Sequence, residues 1–378
     1  MSSSINPQML KWARKRSGLS VEDLAERIDK TPHEVSRWED GKGSPTYACL
    51  EDLAYRHFKV PLAVFFFPEP PATEDPVRKF RRLPDYELAR LSTDTLHTIR
   101  LAQAFQDSLG ELTSGPTDKH ILKEIEPKHL STLQLAKSAR DYLGISVDAQ
   151  FRFVSSESAF KAWRHVLEEA GVYTFKDSLK DRYISGFCLL HSRYPVIMVN
   201  NSNSFTRQLF TLIHELGHLL FGVYGLTDVD EQYIEYMDRD DKQLEIRCNK
   251  FASHFLVPDE SFARGVRMFK SKGVSAVSEL AKKYSVSREV ILRRLLDHGL
   301  ISATDYTTLS TEWNNEYLRT GNRSGGNYYL TQLAYLGEGF TRLVFENYQA
   351  GRVTKSEAAA HLNVKARNLD KLGKYLGW

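Results

Sequence analysis

Cysteine is scarce in this sequence. Its three copies, Cys49, Cys188 and Cys248, lie far apart and form no C-x-x-C. That excludes a disulfide framework, and no cysteine zinc site is implied. Buried free thiols in a reducing compartment are the expected state. Long apolar runs are missing too. The densest, Val60-Pro-Leu-Ala-Val-Phe-Phe-Phe67, is far too short to span a bilayer. The opening residues, Met1-Ser-Ser-Ser-Ile-Asn-Pro7, do not read as a signal peptide. A cytoplasmic protein without membrane contact is therefore expected. Neither sign of charge dominates: 51 Lys and Arg stand against 48 Asp and Glu. The net charge of +3 is too small to argue for nucleic acid by itself.

What is present is enough chain, 378 residues, for two or three domains. One stretch carries chemistry: Phe210-Thr-Leu-Ile-His-Glu-Leu-Gly-His-Leu-Leu-Phe221. His214 and His218 are four residues apart, which on a helix sets both imidazoles on one face, one turn apart. Two imidazoles so placed can bind one zinc ion, and Glu215 is positioned to take a proton from an attacking water. This is the H-E-x-x-H pattern of zinc peptidases. The plain alternative is an amphipathic helix with two structural histidines. Leu212, Ile213, Leu216, Leu219, Leu220 and Phe221 make the helix apolar almost all round, so it should be buried. Burying two histidines and a glutamate without partners is costly, and a metal removes that cost.

A catalytic zinc site wants three protein ligands and one open position. The third should come from the downstream segment Lys242 to Pro258, which reads as a helix ended by Pro258. Glu245 precedes Asn249 by four residues, so the two share a face. Glu245 as ligand, with Asn249 behind it orienting an imidazole, fits the chemistry. His254 is a competing ligand that spacing does not exclude. Upstream, Ser156 caps a helix running to about Ala170. Val172–Phe175, Ile184–Leu190 and Pro195–Asn200 read as strands. The strand that ends just before the H-E-x-x-H helix is expected to form the edge of the cleft, where an extended substrate could pair with it. An oxyanion donor is also needed. Tyr183, Tyr224, Tyr233, Tyr236 and His254 are candidates.

Arg207-Gln-Leu-Phe-Thr-Leu-Ile-His-Glu-Leu-Gly-His-Leu-Leu, followed by Glu245-Ile-Arg-Cys-Asn-Lys-Phe-Ala-x-x-Phe-Leu-Val-Pro, resembles the ImmA/IrrE family of metallopeptidases. Members typically pair an H-E-x-x-H helix with a later E-x-x-A-N-x-F-A-x-x-L-L-x-P helix. Cys248 stands for the usual alanine and Phe255 for a leucine, both apolar exchanges. The resemblance implies His214, His218 and Glu245 as zinc ligands and Glu215 as general base. It also implies a protein substrate. The family includes proteins that cleave repressors, and other members with this fused architecture resemble antitoxin or regulator partners of toxin genes.

The N-terminal segment reads as short amphipathic helices: Pro7–Arg16, ended by Gly18; Val21–Ile28, capped by Ser20; a third from Thr31 and Pro32 to Asp40; and Thr46 to about His57. Leu24, Ala25, Ile28, Val35 and Trp38 would form its core. Leu-Ser-Val-Glu-Asp-Leu-Ala-Glu-Arg-Ile, then Val-Ser-Arg-Trp-Glu-Asp-Gly-Lys-Gly-Ser-Pro, resembles the XRE helix–turn–helix family of Cro-like repressors. That implies double-stranded DNA as a partner and places Pro32, His33, Glu34 and Arg37 on the recognition helix. Val21 stands where the family usually has a glutamine. Glu22, Asp23, Glu34, Glu39 and Asp40 put negative charge near the docking face, which phosphates would repel. A helical domain for dimerisation or partner docking is the alternative.

Pro68 to Pro76 reads as an extended linker, followed by a basic cluster, Val77 to Arg82. Leu88 to about Leu112 and residues 133 to 143 read as helices. Val277 to Leu295 and Thr354 to Leu372 repeat a helix–turn–helix pattern with basic residues, fitting a packing scaffold ahead of DNA contact. Asn322 to Asn327 reads as a flexible loop, and His361 is not expected to be a ligand. The expected fold class is α+β, mostly helical. Four segments are expected: a helix–turn–helix domain over 1–68, linker and connector over 69–155, a metallopeptidase domain over 156–300, and a helical region over 301–378. The functional expectation is a zinc endopeptidase acting on a protein partner, a repressor. A DNA-binding regulator or antitoxin is the alternative. A homodimer is left open.

Overall fold

The computed structural model describes residues 5–70, 91–113, 120–181, 183–223, 225–228, 239–319 and 327–378. The linker after residue 70, the basic cluster 77–82 and most of the loop 322–327 lie outside these residues, as do Leu88, Tyr224, Tyr233 and Tyr236. The fold is α+β and mostly helical, with one four-stranded sheet. The chain divides into two compact units. One comprises Met1–Gln103 with Leu179–Asp181, the other Ala104–Ser178 with Arg182–Trp378.

The first unit opens with α1 (Pro7–Arg16), α2 (Val21–Arg27), α3 (Pro32–Glu39) and α4 (Tyr47–Asp52). The starts follow local chemistry. Ser20 and Thr31 form capping boxes with Asp23 and Glu34, and Pro32 occupies the first turn of α3, where a missing N–H costs nothing. The fourth predicted helix continues beyond α4, but its last turn, Leu53–Phe58, widens to a π-helix. Leu24, Ala25, Val35 and Trp38 are buried together with Leu10, Leu53 and Phe65. Arg14 and Glu39 bind α1 to α3 through two hydrogen bonds of 2.6 and 2.9 Å, and Arg14 also donates to Leu19 O at 2.8 Å. The division between units falls within α5 (Thr93–Leu112).

In the second unit, α6 (Thr132–Leu143) ends at Gly144, whose φ of 75° closes the helix in the left-handed region. Then come α7 (Ser156–Glu169), β1 (Tyr173–Asp177), β2 (Ile184–Leu189), β3 (Val196–Asn200), α8 (Phe205–Leu220), β4 (Gly225–Asp228) and α9 (Arg239–Leu256). Ser155, not Ser156, caps α7. The sheet order is β1-β3-β2-β4. β1 runs parallel to β3, and β2 runs antiparallel to both β3 and β4. The expectation that the strand before the H-E-x-x-H helix forms the cleft edge is therefore overturned. β3 has neighbours on both sides, so its backbone groups are spent within the sheet. Among the described residues, the edge strand on the β2 side is β4.

Leu135, Ala139, Phe160, Trp163, Leu212, Ile213, Leu216, Phe251, Phe255 and Leu280 belong to one core, which packs α6, α7, α8, α9 and α11 together. The following helices are α10 (Asp259–Lys272), α11 (Ser275–Tyr284), α12 (Arg288–Asp297), α13 (Ala303–Arg319), α14 (Tyr328–Leu336), α15 (Glu338–Gln349), α16 (Lys355–His361) and α17 (Leu369–Lys374). The basic residues of α11 and α12 are largely used inside the unit. Arg294 is 1% exposed and paired with Asp259 and Asp297. Arg288 lies over Trp313, Arg293 over Tyr306 and Lys283 over Phe151. That use fits a packing scaffold. His361 Nδ1 is 2.9 Å from Ser108 Oγ. Among the described residues, no helix is long and apolar enough to cross a membrane.

Candidate metal centre

The centre is built where α8 and α9 pack against each other. α8 starts at Ser204, whose side chain accepts from Arg207 N, and its residues from Thr211 to Leu220 are all buried. Gly217 lets α9 approach closely: a methyl group at that position would lie 3.1 Å from Phe251 Cδ1 and 3.5 Å from Cys248 Sγ. His214 and His218 are each 1% exposed and Glu215 is fully buried. The Nε2 atoms of the two histidines are 3.0 Å apart. Glu245 reaches across from α9 and sets Oε2 3.2 Å from His214 Nε2 and Oε1 3.1 Å from His218 Nε2. Asn249, one turn further along α9, places Oδ1 2.9 Å from His214 Nδ1. With Oδ1 accepting, the proton sits on Nδ1 and the lone pair of Nε2 faces His218 and Glu245.

These donors fit a small divalent ion. Atoms about 2.0–2.1 Å from a tetrahedral zinc are separated by about 3.3 Å, close to the 3.0–3.2 Å spacing here. Two imidazoles and a carboxylate suit zinc chemically. Without a metal, the cluster favours a positive charge at this point, from a proton or a cation. Burial works against ionising Glu245, but His218 and His214 outweigh it and hold the carboxylate well below its usual range. Burial likewise opposes a charge on His218, but Cys248 and Glu245 beside it outweigh that and hold it well above the usual imidazole range.

The structure brings His214, Glu215, His218, Glu245 and Asn249 into one place. His254 goes elsewhere: it packs beside Asp259, 3.7 Å away, and burial together with Arg294 lowers its pKa to about 4. It is not grouped with His214 and His218. Of the oxyanion candidates, Tyr183 is half-buried just before β2, and the other three tyrosines are not described. In the first unit, Pro32, His33 and Arg37 are exposed on α3. Glu34 is half-buried and accepts from Thr31 N at 3.0 Å. Arg37 donates to Lys42 O at 3.1 Å. The acidic charge expected near this face is smaller than the sequence suggests, because Glu39, with its side chain 4% exposed, is neutralised by Arg14.

Two residues were not marked by the sequence reading. Cys248, treated there as an apolar exchange, offers a donor atom that lies with those of His214 and His218 within 4.8 Å of one another. Its place three residues after Glu245 on one helix was the available signal. Gly225, the first residue of β4, passes directly over the centre: a methyl group there would fall 2.5 Å from Glu215 Oε2 and 2.7 Å from His218 Cδ2. Cys188, opposite Gly225 on β2, is fully buried beside Glu215. Burial, reinforced by the Glu215 carboxylate, pushes its thiol well above the usual range.

Comparison with known proteins agrees with this architecture. Residues 167–296 match the family model of the IrrE N-terminal-like domain, and residues 8–57 match that of a helix-turn-helix domain. The chain thus carries a region similar to the IrrE N-terminal-like domain behind one similar to a helix-turn-helix domain. Over 106 residues it is 35% identical to the radiation response metalloprotease IrrE of Deinococcus radiodurans. The matched stretch is 28% of this chain and spans 31% of that relative.

Proposed function

We propose that this chain is a zinc-dependent endopeptidase that cleaves a protein partner, a transcription repressor, and that its N-terminal domain binds double-stranded DNA. The observation that carries the proposal is the convergence of His214, His218 and Glu245 within 3.0–3.2 Å, with the buried Glu215 next to them. His214, His218 and Glu245 would hold a zinc ion, which would supply Lewis acidity at this point. Glu215 takes the proton of the attacking water and hands it to the leaving amine. Asn249 holds the His214 ring in the tautomer that directs Nε2 into the centre. The backbone of β4 offers an extended peptide a partner strand beside Glu215, and close passage there requires a residue without a side chain, Gly225.

The IrrE match supports the peptidase class, since that relative is named a metalloprotease. The helix–turn–helix match supports DNA binding, with Pro32, His33, Glu34 and Arg37 on the helix that would read it. The two parts act together if the N-terminal domain brings the peptidase to a DNA-bound repressor. A second reading, favoured by the helix–turn–helix domain on the same chain, is a DNA-binding regulator or antitoxin whose peptidase fold docks a partner with little turnover. Trapping partners in cells with Glu215→Gln, followed by mass spectrometry, separates the two. The enzyme reading predicts that an intact repressor accumulates on the variant but not on wild type. Equal capture of the same intact partner by both forms would favour docking. A mobility shift on the protein's own promoter that is unchanged by Arg37→Ala would contradict the placing of Arg37 on the reading helix.

A further inference from the structure

Three turns between short helices close in the same way, each on a residue other than glycine. Between α2 and α3, Asp29 takes a φ of 53° and Lys30 N donates to Ala25 O at 2.9 Å. Between α11 and α12, Ser285 takes a φ of 59° and Val286 N donates to Ala281 O at 3.0 Å. After α16, Asn363 takes a φ of 50° and Val364 N donates to Ala359 O at 2.9 Å. Each is a left-handed helix end that turns the chain sharply, and each accepting alanine is buried. The first lies in the stretch that matches a helix-turn-helix domain. The other two differ in what their basic residues do. On α12, Arg288 and Arg293 lie over Trp313 and Tyr306, and Arg294 pairs with Asp259 and Asp297. Around α17, Lys365, Arg367, Lys371 and Lys374 are all exposed. Among the described residues none of these four is paired with a carboxylate, and Asp370 is held by Lys355 at 2.7 Å. Residues 351–378 carry six Lys and Arg against Glu357 and Asp370, more net positive charge than the +3 of the whole chain.

We propose that the α16–α17 unit is a second contact surface for double-stranded DNA, holding the phosphate backbone through Lys365, Arg367, Lys371 and Lys374. It uses none of the residues of the N-terminal domain and does not depend on that domain's reading. Unpaired, exposed cations on one small unit suit a polyanion, whose counterions they displace. The unit is packed rather than loose: Ala358, Ala359, Leu362, Leu369 and Leu372 are buried, and a capping box of Thr354 and Glu357 starts α16. α17 has six residues and is therefore about 9 Å long. That is too short to set several side chains against base edges, so the contact is to phosphate and carries no sequence information. An anionic membrane is the other surface that a basic tip with aromatic residues could meet. Here the aromatic rings are engaged within the fold. Tyr375 stacks on Tyr329, with centroids 5.7 Å apart, and its hydroxyl accepts from Asn327 Nδ2 at 2.8 Å. Trp378 stacks on Phe345 at 6.4 Å. That leaves charge rather than an inserting apolar face, which favours DNA.

The test is the salt dependence of binding of the full chain to a labelled DNA duplex of mixed sequence. Three proteins are compared: wild type; Lys365→Gln, Arg367→Gln, Lys371→Gln and Lys374→Gln combined; and, as a control that removes the same charge from other exposed positions, Lys123→Gln, Lys128→Gln, Arg264→Gln and Arg267→Gln combined. Each phosphate contact contributes about 0.9 to the slope of log affinity against log salt, so the first variant should bind with a slope shallower by about 3–4 than wild type. The control should keep the wild-type slope. Lys371→Gln with Lys374→Gln alone should give about half the drop, a gradation that a folding defect would not produce. A wild-type slope in the C-terminal variant overturns the surface and leaves the N-terminal domain as the DNA contact. An equal drop in the control also overturns it, as an effect of total charge. Failure of wild type to bind the duplex at low salt overturns both contacts. Vesicles of phosphatidylserine and phosphatidylcholine complete the test: loss of vesicle binding by the C-terminal variant, with the DNA slope unchanged, would assign the surface to lipid and overturn the DNA assignment.

Discussion

Asn249 Oδ1 stands 2.9 Å from His214 Nδ1 across the α8–α9 interface, linking residues 35 positions apart. The bond fixes which nitrogen of His214 faces the other donors. Removing it frees the ring to rotate and to take the wrong tautomer. Asn249→Ala should weaken zinc affinity by about 10–100-fold, measured by chelator competition, while Asn249→Asp, which keeps an acceptor, should lose less. Equal affinities in all three proteins would show that the contact orients nothing.

Gly225 gives a second prediction. Its backbone passes so close to Glu215 and His218 that a methyl group would overlap both. Gly225→Ala must push β4 or the Glu215 carboxylate aside. A displacement of about 1 Å in a reacting group can cost roughly 100-fold in rate. Cleavage of the partner should fall by that order, while Gly110→Ala, where a methyl group makes only an ordinary 3.7 Å contact with Tyr194, should cost far less. A Gly225→Ala protein with unchanged turnover would remove β4 from the account of the cleft.

The site was legible in the sequence to the extent that it is local. His214, Glu215 and His218 share one helix, and Glu245 and Asn249 share another, so helical spacing alone groups each set. The caps at Ser20, Thr31 and Gly144 were readable for the same reason. Sheet order was not, because the parallel pairing of β1 with β3 skips the intervening β2 and depends on a crossover that no local pattern encodes. β4 is four residues long and carries no alternation to read. Cys248 shows the same limit: spacing puts it on the face of Glu245, but its distance from His218 depends on how closely α9 packs at Gly217.

Lys176 on β1 is buried, with its Nζ 4.0 Å from the centroid of the Phe160 ring and 4.7 Å from that of Phe205. Burial, then the Arg164 charge, lowers its pKa from 10.5 to about 7, with Lys161 adding to the fall and Glu157 opposing it. The ring faces also favour the ammonium, though not enough to offset burial. Between those two values the unfolded chain holds a proton that the folded chain lacks, so stability rises with pH across that window. The slope should reach at most about 1.4 kcal/mol per pH unit. Urea unfolding from pH 7 to 9 should show wild type gaining stability relative to Lys176→Met. Parallel pH profiles would place the charged form of Lys176 comfortably in its pocket.

The Arg14–Glu39 pair predicts a stability effect in the first unit. Both side chains are buried, so removing one leaves the other charged without its partner. Glu39→Ala should destabilise that unit by about 3–5 kcal/mol, read by denaturant unfolding with circular dichroism. Exchange of the exposed Lys42–Asp40 pair should cost at most about 1 kcal/mol. A small effect of Glu39→Ala would mean that water reaches Arg14 and satisfies it.

The central claim is that Glu215 performs proton transfer at a centre held by His214, His218 and Glu245. It is tested most directly by incubating the purified Glu215→Gln protein with the partner it traps in cells, measuring bound zinc and partner cleavage on the same sample beside wild type. The account predicts stoichiometric zinc in both proteins, cleavage by wild type, and loss of cleavage by at least about 100-fold in the variant. Cleavage at the wild-type rate by Glu215→Gln, with zinc in place, would contradict it.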